Sequence, residues 1–348
     1  MFGMGGNKTV VGLDIGSSAI KAIELKRTKG QIEVAHCGIG PLATDVVVDS
    51  MIMDSPSVAS AITNIFTDAA MKSKSVATSV SGHSVIVKRI GVPAMTDEEL
   101  ADNIQTEAAQ HIPFDIGDVH IDYQILADEG GRQMDVLLVA AKKDKILNYT
   151  NVLSMAGKAP AVVDVDVFAL QNCYEYNYDP SPNSVVALLN LGASVMNIAI
   201  VKGSTWLFSR DVSVGGNQYT DSLQKELDLS YEDAESFKLG RKVGTVSEDA
   251  KGPILQQVTE IIVLEIQKTF DFFRATAGGE HIERIYMAGG SCKVPGLMEA
   301  LRHEFSLPVE YLNPFQKITY SVDESLIEQN PGQLAVAVGL ALRSFEDL

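Results

Sequence analysis

The chain has 348 residues, 46% hydrophobic and 21% charged, a globular balance with enough length for two cores, since single domains usually run roughly 100–150 residues. Its formal charge of −17 is interrupted by no basic cluster, which argues against nucleic acid and against direct insertion into a membrane. No stretch approaches the ~18 apolar residues of a membrane helix, and the scattered cysteines Cys37, Cys173 and Cys292 suit a reducing cytoplasm better than a disulfide framework or metal cluster.

The glycine-rich opening, Met1 to Gly6, reads as a flexible start. An apolar run from Val10 to Ile15, a turn of small residues at Gly16, Ser17 and Ser18, and a second run from Ala19 to Leu25 predict a β-hairpin. A further turn and strand, Lys29 to Val34, extend it to a three-stranded meander. Such a turn exposes backbone N–H groups that can receive phosphate oxygens, and a carboxylate such as Asp14 suits a hydrated Mg²⁺. A Gly-Ser turn that merely joins two strands is the plainer account of this hairpin alone.

From Ser84 the pattern changes to a small α/β unit. A strand over 84–90 is followed by Thr96-Asp97-Glu98-Glu99, a capping box, with Leu100, Ile104, Ala108 and Ile112 spaced for one buried helical face before Pro113. Runs at 119–126 and 135–141 predict a strand pair across Glu129 to Arg132, and a helix is predicted from about Lys143 to Met155. Asp164 and Asp166 follow in the apolar run 163–170.

Beyond them the first pattern returns. Val186 to Val201 repeats the first hairpin with Asn190 in place of Asp14 and Gly192 in place of Gly16, around the turn Gly192-Ala193-Ser194. A third strand again follows, over 205–208, where Trp206 suits a packing role. Two such hairpins could clamp one triphosphate. Arg210 to Thr220 includes the pair Gly215 and Gly216, and Glu235 and Lys238 share a helical face, where an ordinary surface ion pair competes with a ligand role. A strand ending in Gly289 and Gly290, then Ser291 and Pro295, lets backbone approach a flat ring and predicts a helix start, with its positive end, beside it. The six histidines show no metal-ligand spacing.

These motifs together resemble the actin, hexokinase and heat-shock-protein-70 ATPase superfamily, and within it the PilM type IV pilus assembly proteins and the related cell-division protein FtsA. The likeness runs nearly end to end. Gly12 to Lys21 is similar to the first phosphate loop, with Lys21 as the phosphate-contacting lysine, and Leu189 to Ser194 is similar to the second. Met287 to Leu297 resembles the adenosine motif, and 210–220 with 234–238 resembles the PilM and FtsA pattern that brings Glu235 and Lys238 to the adenosine.

The resemblance implies an α/β, actin-like two-lobe ATPase fold of duplicated ribonuclease-H-like domains, with an inserted FtsA-like small α/β subdomain. It assigns 8–88 with 163–187 and 332–348 to the first lobe core, 89–162 to the insertion, 188–225 with 285–331 to the second lobe core, and 226–284 to a mostly helical nucleotide-side subdomain. ATP would lie between the lobes against Asp14, Gly16, Ser17, Ser18, Lys21, Asn190, Gly192, Ala193, Ser194, Gly215, Gly216, Glu235, Lys238, Gly289, Gly290 and Ser291. Mg²⁺ would be held through water by Asp14 and Asn190, and Asp166, with Asp14, would serve any hydrolysis. Asparagine where the superfamily usually has aspartate points to a switch with at most weak ATPase activity.

The family further implies a cytoplasmic protein held at the inner membrane by the N-terminal cytosolic peptide of a bitopic PilN-like protein. That peptide would dock between the first lobe and the insertion. Other pilus platform or motor proteins and self-association are further expectations, in a type IV pilus or related type II secretion machine. An FtsA-like filament protein and, more remotely, a sugar or carboxylate kinase are the other readings. The ending Leu340 to Leu348 lacks the basic amphipathic helix of the first, and no second acidic constellation supports the other.

Overall fold

The computed structural model describes residues 10–127, 133–244 and 246–345. The opening glycines and the 129–132 turn expected from the sequence lie outside them.

The first lobe opens as a meander of β1 (Val11–Ile15), β2 (Ala19–Thr28) and β3 (Gln31–Pro41). A short hairpin, β4 (Val47–Val48) and β5 (Met51–Ile52), leads to helix α1 (Ser55–Asp68), whose first turn is held by Asp54 accepting from the Ser57 N–H at 3.1 Å. The chain then enters β6 (Ser75–Val80) beside β1. β1 and β6 are parallel and covered on both faces, so nearly every residue of the pair is buried, including the hydroxyls Thr78 and Ser79 of β6.

The insertion consists of β7 (Val85–Pro93), α2 (Asp97–Ala109), β8 (Val119–Ala127) and β9 (Gln133–Lys142), in a separate sheet ordered β7-β9-β8. Thr96 and Glu99 form the reciprocal cap expected of them, and Leu100, Ile104, Ala108 and Ile112 face the small sheet's own core. Helix α3 (Lys143–Met155) and strand β10 (Ala159–Val165) return to the first lobe, where β10 pairs with β6 and Tyr149, Val152 and Leu153 join its core. The independent sheet is therefore confined to 85–142, and the rest of the 89–162 segment packs with the first lobe.

After the crossing helix α4 (Asp166–Tyr178), the second lobe repeats the design with β11 (Val185–Leu191), β12 (Met196–Lys202) and β13 (Thr205–Val212). Helices α5 (Asn217–Leu227), α6 (Tyr231–Lys238) and α7 (Glu248–Thr276) pack together before β14 (Arg284–Ala288), α8 (Leu297–Phe305) and β15 (Val309–Tyr311) complete the sheet. The two five-stranded sheets have corresponding orders, β3-β2-β1-β6-β10 and β13-β12-β11-β14-β15, each an antiparallel meander continued by parallel strands.

Helix α9 (Glu324–Gln329) leads to α10 (Ala335–Leu342), in which every residue is buried. An apolar helix on all sides needs cover all round. It receives this from α4 and β1, in a core that also takes Val186, Leu188 and Tyr286 from the second lobe.

Candidate functional site

Both meanders bend at the same kind of turn. The N–H of Gly16 donates to the Ala19 carbonyl at 3.1 Å, and that of Gly192 to the Val195 carbonyl at 3.0 Å. Among the described residues, the N–H groups of Ser17, Ser18, Ala193 and Ser194 donate to no acceptor of the chain. The two turns line one cleft together with Asp14, Lys21, Asp166, Asn190, Glu235, Lys238, Gly289, Gly290 and Ser291.

Strand register fixes the side chains beside each turn. Asp14 stands opposite Lys21, and their charged groups lie 3.0 Å apart, each side chain 14% exposed. At the equivalent places of the second hairpin Asn190 stands opposite Asn197, and its amide donates to Asn197 Oδ1 at 2.8 Å.

The adenosine-like corner is tied to the second turn. Gly289 leaves β14 at φ +87°, with the Leu191 carbonyl only 2.3 Å from where a Cβ would stand, so neither the conformation nor the space admits a side chain. Ser291 donates its hydroxyl to the Gly192 carbonyl at 2.9 Å. A 3₁₀ turn, Gly290–Lys293, follows, and α8 begins only at Leu297, whose neighbours Pro295 and Gly296 line a different groove along α7. It is this short turn, and not the start of α8, that borders the cleft.

Gly215 and Gly216 stand behind the second turn instead of lining the cleft: the N–H groups of Gly216 and Asn217 donate to the Gly192 and Ala193 carbonyls at 3.0 and 2.8 Å. Lys238 donates to Glu235, to the Gly216 carbonyl at 3.2 Å and to the Thr220 hydroxyl at 3.0 Å. The ion pair is real, and it forms one wall of the cleft.

Asp166 opens α4 on the cleft floor, accepting from the Ser79 hydroxyl at 2.5 Å. Burial pushes its carboxyl up to about 6, reinforced by the charge of Asp14 and opposed by hydrogen bonds from Ser79 and Ser81. Asp164 turns away toward Arg343, 3.5 Å distant, and takes no part.

Ser50, Ser81, Asn197, Asn217, Tyr231 and Gln333 also line the cleft and were not singled out from the sequence. Asn197 was legible in principle, because it occupies the place of Lys21 in the repeated hairpin. Lys145, on α3, carried no such signal. It is 1% exposed, and donates to the Ser50 carbonyl, which also accepts from the Tyr149 hydroxyl at 2.9 Å. Burial draws its ammonium down to about 8, against the charges of Asp166, Asp211 and Asp144.

The family described as type IV pilus assembly protein PilM matches residues 12–345. The chain belongs to the PilM family. The solved PilM-PilN type IV pilus biogenesis complex superimposes with a TM-score of 0.86 at 25% identity, covering 97% of this chain and 98% of that one. MreB 5 of Spiroplasma citri bound to AMPPNP gives a TM-score of 0.55 at 13% identity, covering 97% of both chains, a likeness of fold alone. The ethanolamine utilization protein EutJ of Escherichia coli strain K12 is 29% identical over 118 residues, 34% of this chain and 38% of that protein. The aligned part spans less than half the length of such curated relatives. The fold is therefore that of the actin-like ATPases and the family is PilM, both as expected from the sequence. Among the described residues no helix is long and apolar enough to cross a membrane.

Proposed function

We propose that this PilM-family chain binds ATP with Mg²⁺ between its lobes and works as a nucleotide-dependent scaffold of a pilus assembly platform, held at the membrane by a PilN-like peptide. The observation that carries this reading is the pair of facing turns, each with two N–H groups free of chain acceptors, beside a Gly-Gly corner. Free N–H groups converging on one cleft suit a polyphosphate, and the donor set fits: Lys21 and Lys238 supply positive charge, and Asp14 and Asn190 supply oxygens for a hydrated cation. When bound, Mg²⁺ would neutralise phosphate charge. Asp166 would hold a water, as an acceptor, for slow hydrolysis.

A PilN-like partner is supported by the PilM-PilN complex being so close in fold. The peptide's expected place, between the first lobe and the small sheet of 85–142, would let closure of the cleft alter its fit.

Calorimetric titration of the full chain with ATP in Mg²⁺ tests the nucleotide reading. Wild type should bind with micromolar affinity, and Asp14→Ala should abolish the Mg²⁺-dependent part. A folded wild type that takes up no ATP would falsify the switch and leave a scaffold that has kept only the shape.

A further inference from the structure

Strands β11, β12 and β13 place Asn190, Asn197 and Asp211 side by side across the second sheet. The Asn190 amide N–H donates to Asn197 Oδ1 at 2.8 Å, and the Asn197 amide N–H donates to Asp211 Oδ1 at 2.8 Å. The other Asp211 oxygen accepts the N–H of Gly82, 2.6 Å away, from the first lobe just before β7. Nearby, Ser213 Oγ and His83 Nε2 stand 3.2 Å apart, a second contact between the lobes.

An ionised carboxylate can only accept, whereas each amide can donate at one end and accept at the other. Asp211 therefore dictates the direction of the whole chain. Asn197 must turn its NH₂ group to Asp211 and its oxygen to Asn190, and Asn190 must spend an N–H on that oxygen. With its nitrogen held toward Asn197, Asn190 has its carbonyl oxygen, besides the second N–H of the amide, left for the cleft it lines. Reversed, the same side chain would offer an NH₂ group, which repels a cation and its hydrate.

We propose that Asp211 is a positioning residue: through Asn197 it fixes Asn190 with its oxygen toward the metal side of the cleft, and through Gly82 it ties that setting to contact between the lobes. The first hairpin needs no such device, because Asp14 itself faces the cleft and Lys21 occupies the place of Asn197. In the second hairpin the acid stands two strands away, and two amides carry its preference. This inference rests on the ATP and Mg²⁺ reading above.

The test compares ATP affinity with saturating Mg²⁺ and with a chelator, for wild type, Asp211→Asn and the double variant Asn190→Asp with Asp211→Asn. An amide at 211 can donate, so the chain loses its direction; the Mg²⁺ enhancement should fall roughly 10-fold or more, the scale of a charged hydrogen bond. In the double variant the chain runs backwards: the new carboxylate at position 190 accepts from Asn197, Asn197 accepts from the new amide at position 211, and that amide's oxygen still accepts from Gly82. The enhancement should return to within about 3-fold of wild type and, with Asn190→Asp alone measured to close the cycle, should exceed the sum of the two single effects, a coupling that independent sites do not show. Should Asp211→Asn fail to fold, Asn197→Ala cuts the chain while leaving the Gly82 bond, and the same loss of enhancement is expected. An enhancement unchanged in the single variants, or affinity lowered equally with and without Mg²⁺, overturns the inference while sparing the nucleotide reading. A wild type that binds no ATP overturns both.

Discussion

Asp166 combines a raised carboxyl with a place on the cleft floor, where a structural acid would ordinarily be paired. Its folded-state affinity for a proton exceeds that of an exposed aspartate, so the native fold is disfavoured above about pH 6 and gains stability as the pH falls toward 4. Asp166→Asn removes the enclosed charge. It should raise the melting temperature by a few degrees at pH 7.5, from at most about 3 kcal/mol at 1.36 kcal/mol per unit. That advantage should shrink to nothing by about pH 4 in a calorimetric pH series. The same variant should keep its ATP affinity and lose roughly 10²–10⁴-fold in turnover, the usual worth of a positioned carboxylate. Residual turnover in the wild type should correspondingly fall as the pH drops through about 6. A variant that gains no stability at neutral pH would show that Asp166 is well paired after all.

At the scale of elements, the junction of the lobes depends on backbone approach that only small residues permit. A Cβ on Gly339 of α10 would stand 1.7 Å from the Ala169 carbonyl of α4, and one on Gly12 of β1 would stand 2.1 Å from the Ala337 carbonyl of α10. Two helices and a strand therefore meet almost without side chains between them. Gly339→Ala must push α10 off α4, at a cost of roughly 1–3 kcal/mol or more, whereas a glycine-to-alanine change in an open helix would be favourable. Urea unfolding should show a lowered midpoint with an unchanged slope. The run 335–342 is apolar throughout, so it carries no periodicity that would say which of its faces touches which partner. Elsewhere the elements were more legible. The Thr96 to Glu99 cap, the buried face of α2 and the span 143–155 were read directly, because caps and periodicity are local signals.

For the whole molecule, the small sheet of 85–142 is flanked by contacts one hydrogen bond removed from the cleft lining, through Asp211 to Asn197 and through Lys145 to Ser50. Gly82 meets Asp211 just before β7, and Lys145 on α3 reaches the Ser50 carbonyl just after β9. A partner peptide seated against this sheet and a nucleotide in the cleft should therefore bias the same closure. Titrating ATP with and without the N-terminal peptide of a PilN-like protein should change the ATP affinity by a measurable factor, and the peptide affinity by the same factor with and without ATP. Equal affinities in both arms would mean that the scaffold does not switch. The sequence by itself determined the duplicated hairpins, the Gly-Gly corner, the inserted α/β unit and the family they resemble, because each rests on short-range pattern and on two segments that can be laid side by side. Only the tertiary structure decided which of those residues share a cleft, that Gly215 and Gly216 support the second turn from behind, that Lys145 bonds the Ser50 carbonyl, and that Asp211 is joined through Asn197 to an amide two strands away. Those facts depend on sheet register and on contacts between residues more than a hundred positions apart, such as Gly82 and Asp211, and no local pattern encodes such distances.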